Sequence, residues 1–138
     1  MIQKSGNYIL ITGGNSGLGF YSVVNFLKLK NYIFIPIKSI KRKDQFLVKL
    51  NEYFEPYYLN KYLQIINEVD LCDLKNVNKI TEFLQNKNIK LDILILNAGI
   101  QYTGSKYPKV SKQGLEMTFA VNHLSHFVLT NRLIPFMS

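Results

Sequence analysis

The most informative stretch of the sequence is Tyr8-Ile-Leu-Ile-Thr-Gly-Gly-Asn-Ser-Gly-Leu-Gly19. Its first five residues form an apolar, β-branched run that is typical of a buried strand. The run ends abruptly at Gly13 and Gly14, and apolar residues then recur at helical spacing between Leu18 and Leu27. The stretch therefore predicts a strand, a tight glycine turn and a helix in immediate succession.

The same alternation of strands and helices continues along the chain. Predicted strands cover Tyr8–Thr12, Tyr32–Ile37, Tyr62–Val69 and Leu91–Leu96. Predicted helices cover Gly17–Lys30, a segment with Phe46 and Phe54 that ends before Pro56, a segment from Leu74 to Leu84 capped by Asp73, and Ser111–Ile134. The pattern indicates an α/β fold: a doubly wound, Rossmann-type parallel sheet with crossover helices and strand order 3-2-1-4.

Length and composition limit the classes of protein to which the chain can belong. The 138 residues suffice for one domain, and the apolar fraction of 47% excludes disorder throughout the chain. Cys72 is the single cysteine, which excludes an internal disulfide framework and favours a reducing compartment. Because neither a secretory signal nor an apolar run of about 20 residues is visible, we expect a soluble, cytoplasmic protein without a membrane span.

The charge balance is basic, with 17 Lys and Arg residues against 9 Asp and Glu residues and a net charge of +8. Such a balance invites a nucleic-acid-binding interpretation. However, no interleaving of aromatic and basic residues accompanies the charge, and no base-reading helix is evident. We therefore expect no nucleic-acid partner. Lys38, Lys41, Arg42 and Lys43 form one local basic cluster.

The glycine turn is suited to holding a pyrophosphate. Gly13 would make the tight turn, while Gly17 and Gly19 would leave room for phosphates and for close packing of the helix on the strand. The exposed backbone N–H groups and the positive end of the helix attract phosphates. The alternative is an ordinary glycine-rich turn with Ser16 as the helix N-cap. The position between a strand and a helix favours dinucleotide binding.

Four motifs together resemble the short-chain dehydrogenase/reductase family. They are Thr12-Gly-Gly-Asn-Ser-Gly-Leu-Gly19, Asp70-Leu-Cys-Asp-Leu74, Asn97-Ala-Gly99 and Asn122-His-Leu-Ser125, the last with Ser where the family usually has Gly. The stretch from Gly114 to Thr130 is most similar to the retinol-dehydrogenase-like branch. The resemblance implies an oxidoreductase that moves a hydride between a nicotinamide cofactor and a carbonyl or alcohol carbon.

The resemblance also implies roles for individual residues. Asp70 would bond the adenine amino group, and Asn97-Ala-Gly99 would shape the nicotinamide-ribose side of the site. Asn122 would belong to the catalytic tetrad; alternatively, it is a polar residue that hydrogen-bonds helix backbone. The expected cofactor contacts, including three residues after the second predicted strand, are Gly13, Asn15, Ser16, Gly17, Leu18, Gly19, Lys38, Ser39, Arg42, Asp70, Leu71, Asn97, Ala98 and Gly99.

The residues after the second predicted strand favour NADP(H) over NAD(H). An acid at this place would bind the ribose 2′-hydroxyl of NAD, but no acid occurs before Asp44. Lys38, Ser39 and Arg42 would instead attract and contact a 2′-phosphate. The alternative is a solvated loop whose lysines have no specific partner.

The two histidines do not predict a metal site. His123 and His126 lie three residues apart on the last predicted helix, but no third ligand accompanies them there apart from Glu116, two turns earlier. We therefore expect them to be structural residues, and we expect no metal.

The family's catalytic Ser and its Tyr-x-x-x-Lys pair follow a fifth strand, which lies beyond Ser138. We therefore expect residues 1–138 to be the N-terminal, dinucleotide-binding portion of a single Rossmann-fold domain whose catalytic half is absent, so that this chain alone is inactive. Two strings match the pair by chance: Tyr57 with Lys61, which we expect in a segment with no room for a helix, and Tyr102 with Lys106, in a predicted loop.

By the same resemblance, the substrate would be a small, lipophilic carbonyl or alcohol compound. Homo-oligomers are expected, because family dimers usually form through the helix that carries Asn122. The alternative function is a non-catalytic nucleotide-binding module, which would lack the Ser and the Tyr-x-x-x-Lys pair even in a longer polypeptide.

Overall fold

The computed structural model describes residues 6–102 and 106–138 and contains one four-stranded parallel sheet. The strands are β1 (Tyr8–Thr12), β2 (Tyr32–Ile37), β3 (Leu63–Asn67) and β4 (Ile93–Leu96). Their order is β3-β2-β1-β4, and every neighbouring pair is parallel. The predicted fold class and strand order are therefore confirmed.

Helices cover both faces of the sheet. They are α1 (Gly17–Lys28), α2 (Ile40–Leu50), α3 (Pro56–Tyr62), α4 (Asn78–Asn86), α5 (Met117–Phe119) and α6 (Ser125–Leu133). A 3₁₀ turn, Leu74–Val77, precedes α4, and its N-cap is Asp73, as predicted. A second 3₁₀ turn, Ile134–Phe136, follows α6.

The core has two layers, one on each face of the sheet. On one face, Val23 and Leu27 of α1 and Phe46 of α2 pack with alternate residues of β1 and β2. On the other face, residues of α4 and α6 such as Leu84 and Leu129 pack against the remaining strand residues. Because β1 and β2 are covered on both faces, their side chains are almost all buried, as continuous apolar runs require.

The structure corrects the prediction around Pro56. The sequence suggested that the chain runs from Pro56 directly into the third strand, but α3 occupies Pro56–Tyr62. Proline is favoured in the first turn of a helix because its missing N–H has no partner there. Tyr57 and Lys61 therefore do lie four residues apart on a helix, contrary to the prediction. Because α3 leads into the start of β3, this pair sits at the amino-terminal end of the sheet.

The long helix predicted from Ser111 is shorter and interrupted. Gly114 adopts a φ of +76°, which is incompatible with a helix, and the Glu116 carboxylate caps the helix by accepting from the N–H groups of Thr118 and Phe119. Helix α5 therefore begins at Met117, and a π-helical turn, Ala120–Leu124, separates it from α6. Asn122 lies within this π turn.

Strand β4 forms one edge of the sheet, and its side chains are only partly buried: Ile93 is 38% exposed and Leu96 is 42% exposed. The nearly continuous apolar run at Leu91–Leu96 is typical of a strand covered on both faces, but in these 138 residues β4 is an exposed, apolar edge. Just before β4, Leu91 forms a parallel bridge with Met137, because its N–H donates to Phe136 O and its carbonyl accepts from Ser138 N–H.

Among the described residues, no helix is long and apolar enough to cross a membrane.

Candidate cofactor site

The glycine turn brings three backbone segments into close contact. Gly13 and Gly17 adopt positive φ angles of +66° and +53°, which glycine tolerates best. Gly19 begins the packing of α1 on the end of β1: a Cβ there would lie 2.4 Å from Gly13 O and 2.5 Å from Asn97 Nδ2. Only glycine therefore fits at this position. The first N–H groups of α1, which have no partner within the helix, lie beside the turn.

The predicted cofactor residues converge on one cleft at the carboxyl ends of the strands. The cleft has a volume of about 360 Å³ and lies between the glycine turn and the segments that follow β2, β3 and β4. Each residue predicted to contact the cofactor lines it, except Ser39. Ligands of doubly wound sheets bind at this edge. Four further residues that the sequence did not suggest also line the cleft: Pro36, Val69, Ile100 and Val121.

The position of these four residues explains why they were missed. Val69 and Ile100 follow the carboxyl ends of β3 and β4, and Pro36 lies near the end of β2. The rule that ligands bind at strand ends could have found them. Val121 is different, because it comes from the π turn and reaches the cleft only through tertiary packing.

The segment after β4 is held to the end of β1 by hydrogen bonds. The Asn97 side-chain amide donates to the carbonyls of Thr12 and Gly13, each at 3.1 Å. The backbone N–H groups of Asn97 and Ala98 both donate to the Thr12 hydroxyl, also at 3.1 Å. The Asn97-Ala-Gly99 motif therefore forms one wall of the cleft in a fixed position beside the glycine turn.

Two residues expected to contact the adenosine end of the nucleotide, Lys38 and Asp70, contact each other. Lys38 Nζ lies 2.8 Å from Asp70 Oδ2. This hydrogen bond raises the pKa of the Lys38 ammonium, despite its partial burial. Burial alone would raise the pKa of the Asp70 carboxyl, but hydrogen bonds from Cys72 and Lys38 outweigh it and lower that pKa. Both groups are therefore charged at neutral pH, and the negative charge of Asp70 is compensated.

A second hollow, of about 480 Å³, adjoins the cleft and shares Asn15, Ser16 and Arg42 with it. Ser39 lines this hollow, together with Lys41 and Lys49. The Ser39 hydroxyl is the N-cap of α2 and accepts from Arg42 N–H at 3.4 Å. Lys41 and Arg42 of the basic cluster thus line a concave surface next to the start of α1, whereas Lys43 lines neither the cleft nor this hollow. Ser16, by contrast, makes no side-chain capping bond to α1.

Asn122 is held beside the cleft by two hydrogen bonds to Ile100. Its Oδ1 accepts from Ile100 N–H and its Nδ2 donates to Ile100 O, each at 2.8 Å. The side chain therefore bonds loop backbone rather than the helix backbone that the alternative interpretation suggested. Ser125, where the family usually has Gly, is fully buried and donates to Val121 O at 2.7 Å.

The two histidines have different surroundings. His126 is buried, with Nε2 2.9 Å from the Thr12 hydroxyl and Nδ1 3.3 Å from Asn122 O. His123 lies between the rings of Phe119 and Phe127 on the exposed side of the helix. Across residues 6–102 and 106–138, no group of three or more His, Cys, Asp and Glu residues could hold a metal ion.

The chance Tyr-x-x-x-Lys matches do not lie at this cleft as far as the structure describes them. Tyr57 is 76% exposed, and its helix, α3, joins the amino-terminal end of β3, opposite the cleft. The match of Tyr102 with Lys106 spans residues 103–105, which lie outside the described residues.

A parallel sheet in the order 3-2-1-4 with a glycine turn after β1 defines a Rossmann-type α/β protein. More specifically, the chain belongs to the short-chain dehydrogenase family, whose model matches residues 7–138. Human retinol dehydrogenase 14 is 34% identical over 137 residues, which cover 94% of this chain and 40% of that protein. The WW domain-containing oxidoreductase of Gallus gallus is 33% identical over 129 residues, which cover 94% of this chain and 29% of that protein.

Solved structures share the fold. The complex of Pseudomonas aeruginosa RhlG with NADP matches with a TM-score of 0.74 at 24% identity, covering 97% of this chain and 49% of that one. The NADPH-bound carbonyl reductase from chicken fatty liver matches with a TM-score of 0.70 at 21% identity, covering 95% and 51%. The predicted family is therefore confirmed, and the chain spans about half the length of these structures and less than half that of the two curated relatives.

Proposed function

We propose that this chain is the dinucleotide-binding portion of an NADP(H)-dependent oxidoreductase. The observation that carries the proposal is the cleft at the carboxyl ends of the strands, where the glycine turn, Asp70 and the Asn97-Ala-Gly99 wall meet. The close approach of Gly19 to Gly13 and Asn97 suits a site in which a pyrophosphate must come near the backbone. The residues present therefore fit a dinucleotide.

Charge around the cleft supports NADP(H) over NAD(H). Lys38 and Arg42 line the cleft, while Lys41 and Lys49 join Arg42 around the adjoining hollow. A 2′-phosphate placed where the cleft and the hollow adjoin would meet cations from both, and the negative charge of Asp70 is already paired with Lys38. Two proteins of the same fold were solved with NADP or NADPH bound.

Bound NADP(H) would supply or accept the hydride, and the chain's own residues would bind and orient it. The glycine turn would hold the pyrophosphate, the pair of Lys38 and Asp70 would face the adenosine end, and Asn97-Ala-Gly99 would flank the nicotinamide ribose. Asn122, fixed by Ile100, would belong to the catalytic group. The Ser and Tyr-x-x-x-Lys residues of that group would come from a segment outside these 138 residues, so this chain alone would be inactive.

The substrate we propose is a small, lipophilic alcohol or carbonyl compound. Relatives named retinol dehydrogenase and polyprenol dehydrogenase act, by those names, on lipophilic alcohols. The single cysteine supports a reducing location such as the cytoplasm. The alternative, a non-catalytic nucleotide-binding module, would bind NADPH but would lack the Ser and the Tyr-x-x-x-Lys pair even in a longer polypeptide.

The test is to titrate the chain with NADPH and with NADH and follow the nucleotide fluorescence. We expect NADPH to bind at least about tenfold more tightly, and Lys38→Asp to weaken NADPH binding by about that factor, since a carboxylate repels the 2′-phosphate. Lys87→Asp makes the same charge change beyond the end of α4 and should leave both affinities unchanged. Unchanged NADPH affinity in the Lys38 variant would contradict the assignment of NADP(H).

A further inference from the structure

The Thr12 hydroxyl stands at a junction of four segments beneath the cleft. Thr12 is fully buried at the end of β1, and its Oγ1 lies 3.1 Å from the backbone nitrogens of both Asn97 and Ala98. Its third neighbour is Nε2 of His126 in α6, at 2.9 Å. The other ring nitrogen of His126 faces Asn122 O in the π turn, at 3.3 Å.

The hydrogen-bonding capacity of these groups determines where each proton lies. A threonine hydroxyl has one hydrogen to donate and two lone pairs that accept. The N–H groups of Asn97 and Ala98 take both lone pairs, so the hydroxyl hydrogen must go to His126 Nε2. That nitrogen is therefore an acceptor without a proton. The ring proton is on Nδ1, which donates to Asn122 O.

The environment of His126 favours this neutral form. Burial lowers the pKa of the imidazole from its ordinary value of 6.5, and the hydrogen bond to Asn122 O offsets this only in part. A protonated ring would present a second N–H donor to an oxygen whose two lone pairs are already used. The neutral ring with its proton on Nδ1 satisfies every polar group at the junction.

We propose that His126 is a positioning residue of the cofactor cleft. By accepting the Thr12 hydrogen, it turns both hydroxyl lone pairs toward the Asn97 and Ala98 N–H groups and so fixes that wall of the cleft. Through Nδ1 it holds the backbone of Asn122, whose side chain bonds Ile100 at the cleft. The role in nucleotide binding rests on the function proposed above.

The first test needs no nucleotide. In the full 138-residue chain labelled with ¹⁵N-histidine, the free protein should show His126 with its proton on Nδ1, assigned by loss of that signal in His126→Gln. Amide hydrogen exchange at Asn97 and Ala98 should become about tenfold faster in His126→Leu, because the Thr12 hydroxyl then has no acceptor. A proton on Nε2, or unchanged exchange at both amides, would overturn the proposal.

The second test uses NADPH as the probe and compares three variants with the wild type. His126→Leu should weaken binding about tenfold, whereas His126→Gln, which can accept from Thr12 and donate to Asn122 O, should restore most of the affinity. His123→Leu changes the exposed histidine one turn earlier and should bind like the wild type. A Gln variant as impaired as the Leu variant would count against the proposal, and the ¹⁵N spectrum decides the matter if His126→Leu does not fold.

The two tests distinguish failure of the proposed NADPH binding from failure of the proposed role of His126. If the wild-type chain binds no NADPH, the function proposed above is wrong, while the tautomer and the exchange rates still decide the role of His126. If the wild type binds NADPH and His126→Leu binds equally well, the inference about His126 is wrong and the cofactor assignment stands.

Discussion

Gly19 shows how one missing side chain shapes the cleft. Its backbone is an ordinary helical one, so conformational freedom is not the reason for glycine here. The reason is space, since the carbonyl of Gly13 and the amide of Asn97 occupy the volume that a Cβ would need. These two contacts join α1, the glycine turn and the segment after β4 at one point.

We therefore expect Gly19→Ala to reduce NADPH affinity at least about tenfold, because the added methyl group must push the Gly13 carbonyl or the Asn97 side chain away. Gly114→Ala is the control: its φ of +76° makes the substitution strained, but no atom lies within 4 Å of the added Cβ. Fluorescence titration of both variants measures the difference. Equal affinities would show that the close packing at Gly19 does not matter for binding.

Individual site residues differed in how well the sequence predicted them. Gly13, Gly17 and Gly19 all line the cleft, and the sequence could suggest them because their spacing is local and the strand before them is clear. The contact between Thr12 and His126 joins residues 114 positions apart. No local pattern indicates it, because it depends on how α6 packs against β1.

The 3₁₀ turn before α4 is an element tied to a distant loop by one carboxylate. Asp73 accepts from Lys75 N–H at 3.1 Å and from the Gln113 amide at 2.9 Å, and pairs with Lys112 Nζ at 3.1 Å. The hydrogen bond from Gln113, followed by that from Lys112, lowers the pKa of the Asp73 carboxyl from 3.8 to about 2. The cap thus also fixes the segment that leads toward α5.

This shift predicts a pH dependence of stability. The unfolded chain binds a proton at Asp73 below about pH 3.8, whereas the folded chain resists it until about pH 2. The contribution of Asp73 is therefore present above pH 3.8 and is lost as the pH falls toward 2. Asp73→Asn should lack this part of the pH dependence.

Urea unfolding of the wild type and Asp73→Asn between pH 5 and pH 2 measures the effect. We expect the two free energies of unfolding to approach each other as the pH falls. Asp44→Asn, at an exposed position of α2, serves as the control and should not reproduce the convergence. Curves for Asp73→Asn and the wild type that stay parallel would contradict the prediction.

The elements predicted best were those with one strong signal. Strands β1 and β2 have the predicted bounds because continuous apolar runs mark buried parallel strands. Helix α3 was missed because Pro56 was taken as a helix end, although proline also begins helices. The break of the last helix at Ala120–Leu124 was not predictable from spacing, because its apolar residues continue through the π turn.

The assembled sheet has one weakly covered edge. Strand β4 pairs with β1 on one side, and Ile93 and Leu96 remain substantially exposed. Exposed apolar edge strands favour association between chains, and a charged residue at the edge opposes it. Association through this edge would differ from the homo-oligomer that the family resemblance implies, which forms through the helix that carries Asn122.

We expect the 138-residue polypeptide to self-associate as its concentration rises, and Ile93→Lys to reduce that association at least about threefold. Leu29→Lys adds the same charge at an exposed apolar position after α1, away from β4, and should behave like the wild type. Sedimentation velocity over a range of concentrations provides the measurement. A wild-type chain that remains monomeric throughout would contradict the prediction.

The parallel bridge between Leu91 and Met137 shows in which direction the chain runs along the outer edge of β4. Because the two residues pair in parallel, polypeptide continuing from Ser138 along this edge would travel the same way as β4. At about 3.3 Å per residue, it would draw level with Leu96 after only about four more residues. Side chains carried by such a segment would then lie beside the carboxyl end of β4, where Asn97 begins one wall of the cleft.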